Sequence, residues 1–430
     1  MERATGHSDQ GATGAQGALQ TGLWVGALAL TLWMAYLRWR TTATAPIGTD
    51  FEHYLAAAKE VAAGKSPYLI QQYVYPPTLA LLLAPFSHAS TESVWKFWTA
   101  FIVGAPLVGI AAFVSLIKGR NSWWLRPAAL ALCGCTMFDS RYYPLTRDLV
   151  LGQSDTVLFS VIAVSAVAAS KGASRLRGGM IGLAGLIKVW PWATALSVMQ
   201  PGVKDRLRTL VFALAVICVA PATALIFGWS GLSGFITNDF HARQQNLVSD
   251  SVWSIPPLLF SHSGMAKPIA VSTPLHLLLT AVLAAWVITL LAVAVRTASD
   301  GALGTWNVTF CIILLLPVSH RQYAICVLPI LWWWVVLSVT TRAKDWRVLA
   351  VSGLLVIWWL DQNLAWPYNG MSHSIAALCF SVPFVGNLIA CTVSVAAARY
   401  IDTSVDNLDR SETTGELPDR LARASLTRSL

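Results

Sequence analysis

The chain is 430 residues long, 55% hydrophobic and only 12% charged. A soluble globular chain is about one-quarter charged, so water is excluded as the main solvent, and apolar runs near the ~20 residues that span a bilayer leave little room for a soluble domain. The net charge of +9 excludes a nucleic-acid surface by its placement, since Lys118, Arg120 and Arg126, Lys171, Arg175 and Arg177, Lys204, Arg206 and Arg208, and Arg342, Lys344 and Arg347 sit in short loops, the positive-inside pattern of cytoplasmic segments.

Residues 1–20, rich in Gly, Ala and Gln, predict a disordered cytoplasmic tail, with no cleavable signal ahead of the first span. Residues 22–37 predict an outward crossing; Arg38 and Arg40 then lie on the outer side, against the charge rule. In the outer segment 38–95, Glu52, Lys59 and Glu60 oppose Phe51, Tyr54 and Leu55, which predicts an interfacial helix over 51–63. Gly64-Lys65-Ser66-Pro67-Tyr68 predicts its stop. Tyr75-Pro76-Pro77 opens a short apolar helix, 78–86, and fixes a groove beneath Asp50.

Crossings are expected at 96–117, 128–140, 150–170 and 209–229. An outer loop at 230–268 precedes a return at 269–295. The pairs 303–319 with 322–339 and 348–361 with 375–398 complete about ten crossings, leaving both termini cytoplasmic. Segment 178–203 has basic flanks on both sides and holds Lys188 and Pro191 near its middle. Roughly 24 residues cannot make two crossings of ~20 each, so a re-entrant hairpin is expected, with Lys188 facing a cavity; two short crossings are the other option. The predicted fold class is all-α, a polytopic transmembrane helical protein. Its membrane domain covers 21–400, and 401–430 is a second disordered cytoplasmic tail.

The seven cysteines, Cys133, Cys135, Cys218, Cys311, Cys326, Cys379 and Cys391, lie in apolar segments and read as small buried hydrophobes. Neither a zinc site nor a disulfide framework is expected. Many of the 20 tryptophans, among them Trp95, Trp98, Trp123, Trp124, Trp358, Trp359 and Trp366, fall at segment ends and read as interfacial anchors.

This threading gathers polar residues on the outer face: Asp50, Glu52 and His53; Arg141, Arg147, Asp148, Gln153 and Asp155; Asp239, His241, Arg243 and Asn246; His320, Arg321, Gln322 and Tyr323; and Asp361, Gln362 and Asn363. Few charges lie deep in spans apart from Lys188 and Asp155. A mid-bilayer charge costs several kcal/mol, and a coupled transporter accepts that cost at several places along its path. The pattern points instead to a membrane scaffold holding one polar site at an interface, suited to a substrate half lipid and half polar.

Asp50 directly precedes the helical stretch 51–63 and reads equally as its N-cap, a role open to Thr49 as well. Gln153 and Asp155 open a span and can cap it or hydrogen-bond a sugar. Lys188 needs an anionic partner or a snorkelling route, and a lipid phosphate would supply the first. Arg147 and Arg321 serve equally well as headgroup anchors. With no convincing Asp-x-Asp context and no Gly-rich phosphate loop, neither a nucleotide-sugar donor, nor a metal, nor a cofactor is expected.

The string Thr49-Asp50-Phe51, Tyr54, Ala62-Ala63-Gly64-Lys65-Ser66-Pro67-Tyr68, Tyr75-Pro76-Pro77 and Leu83-Ala84-Pro85-Phe86 resembles the first outer loop of family 87 glycosyltransferases, membrane enzymes of GT-C type. Gly152-Gln153, Lys188-Val189-Trp190-Pro191 and Pro317-Val318-Ser319-His320 with Tyr323 follow in the family's order, over roughly residues 48–330. One departure is Asp155, where family members often carry Asn.

The resemblance implies transfer of a sugar, mannose first, from a polyprenyl-phosphate donor to a glycolipid or cell-envelope polysaccharide acceptor, at the outer face of a bacterial plasma membrane. It implies Asp50 as general base and His320 as a catalytic partner. Lys188, Gln153, Asp155, Arg147 and Arg321 become candidates for the donor, and His53 and Tyr75 for the acceptor. The alternatives are a polyprenyl-phosphate arabinofuranosyltransferase, or a non-catalytic lipid-linked-sugar transporter or assembly protein.

Overall fold

The computed structural model describes residues 8–118, 121–245, 249–261, 268–297, 301–340, 346–364 and 373–399. All regular structure among them is helical. The first part comprises α1 (Ser8–Ala43), α2 (Thr49–Ala62), α3 (Pro77–Leu83), α4 (Thr91–Val114) and α5 (Ser122–Phe138). The middle comprises α6 (Tyr143–Leu151), α7 (Asp155–Ser170), α8 (Ser174–Ile187), α9 (Arg206–Ile217), α10 (Val219–Leu225), α11 (Gly228–Gln245) and α12 (Ile255–Phe260). The last part comprises α13 (Thr273–Arg296), α14 (Gly301–Leu315), α15 (Leu328–Thr340), α16 (Trp346–Asn363) and α17 (His373–Ala397).

Helix starts follow local chemistry. Ser90 accepts the Ser93 N–H ahead of α4, and Ser272 accepts the Leu275 N–H ahead of α13, each satisfying a first-turn donor that has no partner within its helix. Pro77 and Pro144 occupy the first turns of α3 and α6, where a missing N–H costs nothing. Among the described residues, six stretches are long and apolar enough to cross a membrane: Gln16–Ala43, Thr91–Val114, Arg206–Leu225, Thr273–Arg296, Arg321–Thr340 and Ile375–Ala397. The further crossings expected from the sequence fall on helices short of that length or apolarity, including α7 and α14.

Helices α7, α14 and α15 are buried on almost every face and form the centre, as helices apolar all round must. The outer helix α13 exposes Leu277, Leu278, Val282, Trp286 and Ile288, an apolar surface suited to lipid. Some tryptophans fill the centre while others, such as Trp33, Trp229 and Trp346, stay exposed. Trp95, Trp98, Trp306, Trp332, Trp334 and Trp358 are buried, which corrects the anchoring role expected of Trp95, Trp98 and Trp358. Three of their N–H groups find side-chain acceptors inside: Trp332 donates to Thr136 Oγ1 (2.8 Å), Trp334 to Ser394 Oγ (3.1 Å) and Trp358 to Asn387 Oδ1 (2.8 Å). A ring of this size adds core area wherever its one donor is satisfied.

Arg38, anomalous by the charge rule, is taken up internally, donating to the Asp139 carbonyl (2.6 Å) and to Thr146 Oγ1 (2.9 Å). Helix α1 begins at Ser8, so residues 8–20 are helical where a disordered tail is expected. The readings on 1–7, 401–430, Arg120, Arg342, Lys344, Asn246 and Trp366 lie outside the described residues, as do the side chains of Asp239, His241 and Arg243. Of the cysteines, Cys218 is exposed and Cys135 and Cys379 are half-buried, against the expectation that all are buried.

The segment 178–203 folds back on itself. Helix α8 ends at Ile187, Lys188 is extended (φ −141°, ψ 150°), and a 3-10 helix, Trp190–Met199, follows. The Arg177 guanidinium at the start donates to Ser197 Oγ at the end (2.9 Å). The Trp192 ring lies against Gly185 so closely that a Cβ there would overlap it. Helix α8 has 14 residues, about 21 Å at 1.5 Å per residue, short of the ~30 Å apolar thickness of a bilayer. Lys188 is thus the tip of a helical hairpin.

Candidate active site

Two glycines bring α2 against the corner between α6 and α7. Gly48, the residue before α2, touches the backbone of Leu151 and Gly152, and a Cβ on it would overlap the Leu151 carbonyl. Gly152 ends α6 in the left-handed region (φ 70°, ψ 33°), the usual glycine C-cap, and packs on Phe51 and Trp95. Its turn is closed by Gly152 N–H to Leu149 O (3.1 Å) and Gln153 N–H to Asp148 O (2.9 Å). Trp98 donates to the Gly152 carbonyl (2.8 Å). The residues on either side of this lock, Asp50 and Gln153, are thereby set face to face.

Gln153 Nε2 donates to Asp50 Oδ2 (2.5 Å), while its Oε1 accepts from Lys188 Nζ (3.0 Å) and Gln322 Nε2 (3.0 Å). Two donors on one side and a carboxylate on the other fix the amide orientation. Lys188 Nζ also donates to Asp155 Oδ1 (2.7 Å), and lies 4.8 Å from the Tyr323 ring centroid and 5.6 Å from that of Tyr75. The Lys188 side chain is only 6% exposed and that of Asp155 is fully buried. The structure supplies an anionic partner for Lys188 internally, in Asp155. Asp148 Oδ1 accepts the Asp155 N–H (3.2 Å) at the start of α7.

Asp50 stays half-buried, open on one side. Burial raises its carboxyl above the ordinary range, opposed by the Lys188 charge and the Gln153 hydrogen bond. It does not cap α2: the N-cap is Gly48, with no side-chain bond to the first turn. His53 lies one turn on, half-buried, and its charge favours ionised Asp50. The packing beside Asp50 is aromatic, with Tyr54 edge-on to Tyr75 (4.7 Å) and near Trp98 (6.0 Å).

His320 stands edge-on to Tyr323 at 5.8 Å. Burial, with Lys188 and Arg147 nearby, pushes it down to about 4, so it is neutral at pH 7. Arg321 stacks on Tyr143 (4.8 Å) and keeps Nε and Nη2 buried without a partner. That edge of a guanidinium is the one that grips an oxyanion in two-pronged fashion. Arg147, four residues along α6 from Tyr143, is exposed.

The structure thus brings Asp50, Gln153, Asp155, Lys188 and Tyr75 together, with Tyr323 linking them to His320. Arg147 and Arg321 stand beyond that histidine rather than in the network. The sequence reading left Asp148, Gln322 and Tyr54 without roles, although Gln322 sits inside the His320–Tyr323 string. It passed over Asp250, whose N–H donates to Ser319 O (2.6 Å) and whose carboxyl is pushed up to about 7 by burial, against the pull of Arg321. Nothing in its Ser-Asp-Ser context marks it.

Chemically, the arrangement offers a half-buried carboxylate of raised basicity, an internally neutralised lysine, and a nearby arginine whose Nε and Nη2 are buried without a partner. The family model of glycosyltransferase family 87 matches residues 73–319, more than half of the chain. That stretch includes Tyr75, Gln153, Asp155 and Lys188, while Asp50, His320 and Gln322 lie just outside it. A curated relative, GPI mannosyltransferase 1 of Eremothecium gossypii, is 23% identical over 339 residues, covering 75% of this chain and 78% of that protein.

Proposed function

We propose that this chain, which belongs to glycosyltransferase family 87, transfers a mannosyl residue from a polyprenyl-phosphate donor to a hydroxyl of a glycolipid or envelope glycan, at the outer face of the plasma membrane. The observation that carries the reading is Asp50: a half-buried carboxylate of raised basicity, held by Gln153 beside aromatic packing. The distant relative's name, a mannosyltransferase, favours mannose over arabinofuranose.

In the proposed mechanism Asp50 takes the proton of the acceptor hydroxyl, the hydroxyl oxygen bonds to the sugar C1, and the C1–O bond to phosphate breaks. The displacement is single and inverts the anomeric centre, and the leaving group is a polyprenyl monophosphate. Gln153 aims the Asp50 lone pairs. The Nε and Nη2 edge of Arg321, with Arg147 at the rim, receives the charge that gathers on the departing phosphate. His320, neutral, hydrogen-bonds the phosphate or the sugar without adding charge. His53 and Tyr75 line the acceptor side of Asp50.

The test is a membrane assay with radiolabelled polyprenyl-phosphate-mannose and total lipid acceptors. Asp50→Asn is expected to remove transfer, by 10²–10⁴-fold or more for a lost general base, at unchanged protein level in the membrane. Near-normal turnover of that variant would take Asp50 out of the role. Label moving from polyprenyl-phosphate-arabinofuranose instead would move the reading to the other sugar.

A further inference from the structure

Beneath Asp50 lie two carboxyl groups that the proposed mechanism does not use as acid or base. Asp148, at the end of α6, and Asp155, at the start of α7, are both fully buried. Asp148 Oδ1 accepts the Asp155 N–H, and Asp155 Oδ1 accepts from Lys188. The remaining oxygens, Asp148 Oδ2 and Asp155 Oδ2, are buried and receive no N–H or O–H from any other residue. The two buried carboxyl groups are neighbours, joined through the Asp155 N–H. Two ionised carboxylates have only lone pairs to present to each other, and a buried acceptor without a donor is costly.

We propose that Asp148 and Asp155 hold one proton between them, so that the pair carries a single negative charge that neutralises Lys188 and fixes it under Gln153.

Burial, reinforced by the neighbouring Asp155, raises the Asp148 carboxyl well above the ordinary range, as like charges at one site require. The surroundings add no second cation. The pair is faced by Lys188 from the hairpin tip, by Gln153 from the α6–α7 corner, and by Cys326, whose thiol lies 3.8 Å from the Asp155 carbonyl oxygen. With one proton on the pair, its single negative charge matches the ammonium bound to it, while Asp50 is held through Gln153. With none, two negative charges face one ammonium. With two, Lys188 is left uncompensated. Asp148 is then a positioning residue: it holds Asp155, which holds Lys188, which turns the Gln153 amide so that its NH2 group points at Asp50. The role of that last group rests on the proposed function; the shared proton does not.

An amide is the natural probe, because Asn supplies in its NH2 group the donor that the proton supplies here. Asp148→Asn and Asp155→Asn each leave one negative charge on the pair. Made together they leave none. Making Lys188→Met in that double background restores balance. The purified wild type and both single variants, with the triple one, are expected to melt together, and the double variant well below them. In infrared spectra of the same proteins, a deuterium-sensitive C=O band of a buried protonated carboxyl is expected in the wild type and absent from either single variant. Neither readout needs a substrate, so a wrong assignment of the reaction leaves them intact. Transfer is expected to fall with Asp148→Ala and to be absent from the double and triple variants. A single Asn variant shifting the melting point as far as the double one, in either direction, overturns the proposal, as does a protonated-carboxyl band unchanged in both single variants.

Discussion

Gly48→Ala tests the geometry on which the site depends. Gly48 lies at φ −69°, ψ 138°, a conformation any residue adopts, so alanine adds no backbone strain there. What it adds is a methyl group overlapping the carbonyl carbon and oxygen of Leu151. Those atoms belong to the last residue of α6 and cannot rotate aside as a side chain would. The start of α2 must therefore retreat from the α6–α7 corner, and Asp50 leaves the reach of Gln153. Overpacking of this kind costs about 1–3 kcal/mol of stability, and displacing a reacting group by ~1 Å costs on the order of 10²-fold in rate. Gly104→Ala is the control: it lies inside α4 with nothing within 4 Å of an added Cβ, and alanine there is expected to stabilise by up to about 1 kcal/mol. Both variants would be compared in detergent for melting midpoint and in membranes for mannosyl transfer. Wild-type transfer by Gly48→Ala would refute the claim that this contact sets the position of Asp50.

Lys188→Met leaves the buried negative charge beside Asp155 without a partner; breaking a buried pair from one side costs about 3–5 kcal/mol, to be read as a lower unfolding midpoint together with lost transfer. Because burial raises the Asp50 carboxyl, the acid limb of the transfer rate is expected above the ordinary carboxylate range, with activity falling as pH falls through it. Gln153→Leu removes a bond that favours the ionised form and is expected to shift that limb upward, in a pH–rate profile. Asp250, pushed up to about 7 by burial, holds a proton in the fold that it would lose when unfolded. Stability is therefore expected to decline as pH rises from the unfolded carboxylate value through about 7, by on the order of 4 kcal/mol at full extent, and Asp250→Asn is expected to flatten that decline in melting curves.

Much of the scaffold was legible because periodicity and punctuation act locally. Phe51, Tyr54 and Leu55 line the buried face of α2 because residues three and four apart share a helix face. Tyr75-Pro76-Pro77 opens α3 as its prolines require. The hairpin around Lys188 followed from a length too small for two crossings and from basic residues at both ends. Tryptophan was misjudged because the interfacial preference of its ring is an average. Whether Trp332 or Trp358 faces the rim or the centre depends on an acceptor such as Thr136 or Asn387, which only the packed helices bring within reach.

The polar network was legible as a collection of residues but not as a set of bonds, and the reason is physical. Asp50 and Gln153 are 103 positions apart in sequence, and no period links a carboxylate to a distant amide. Their meeting is set by two glycines whose value is the absence of a side chain. Lys188 illustrates the consequence. An isolated lysine in an apolar hairpin demands an anion, and from the sequence a lipid phosphate and a protein carboxylate satisfy that demand equally. Once Asp155 is seen to hold it at 2.7 Å, the cation is committed to positioning Gln153. In the proposed reaction the departing phosphate turns instead to Nε and Nη2 of Arg321, buried and without a partner among the described residues, a residue that sequence alone reads as a headgroup anchor.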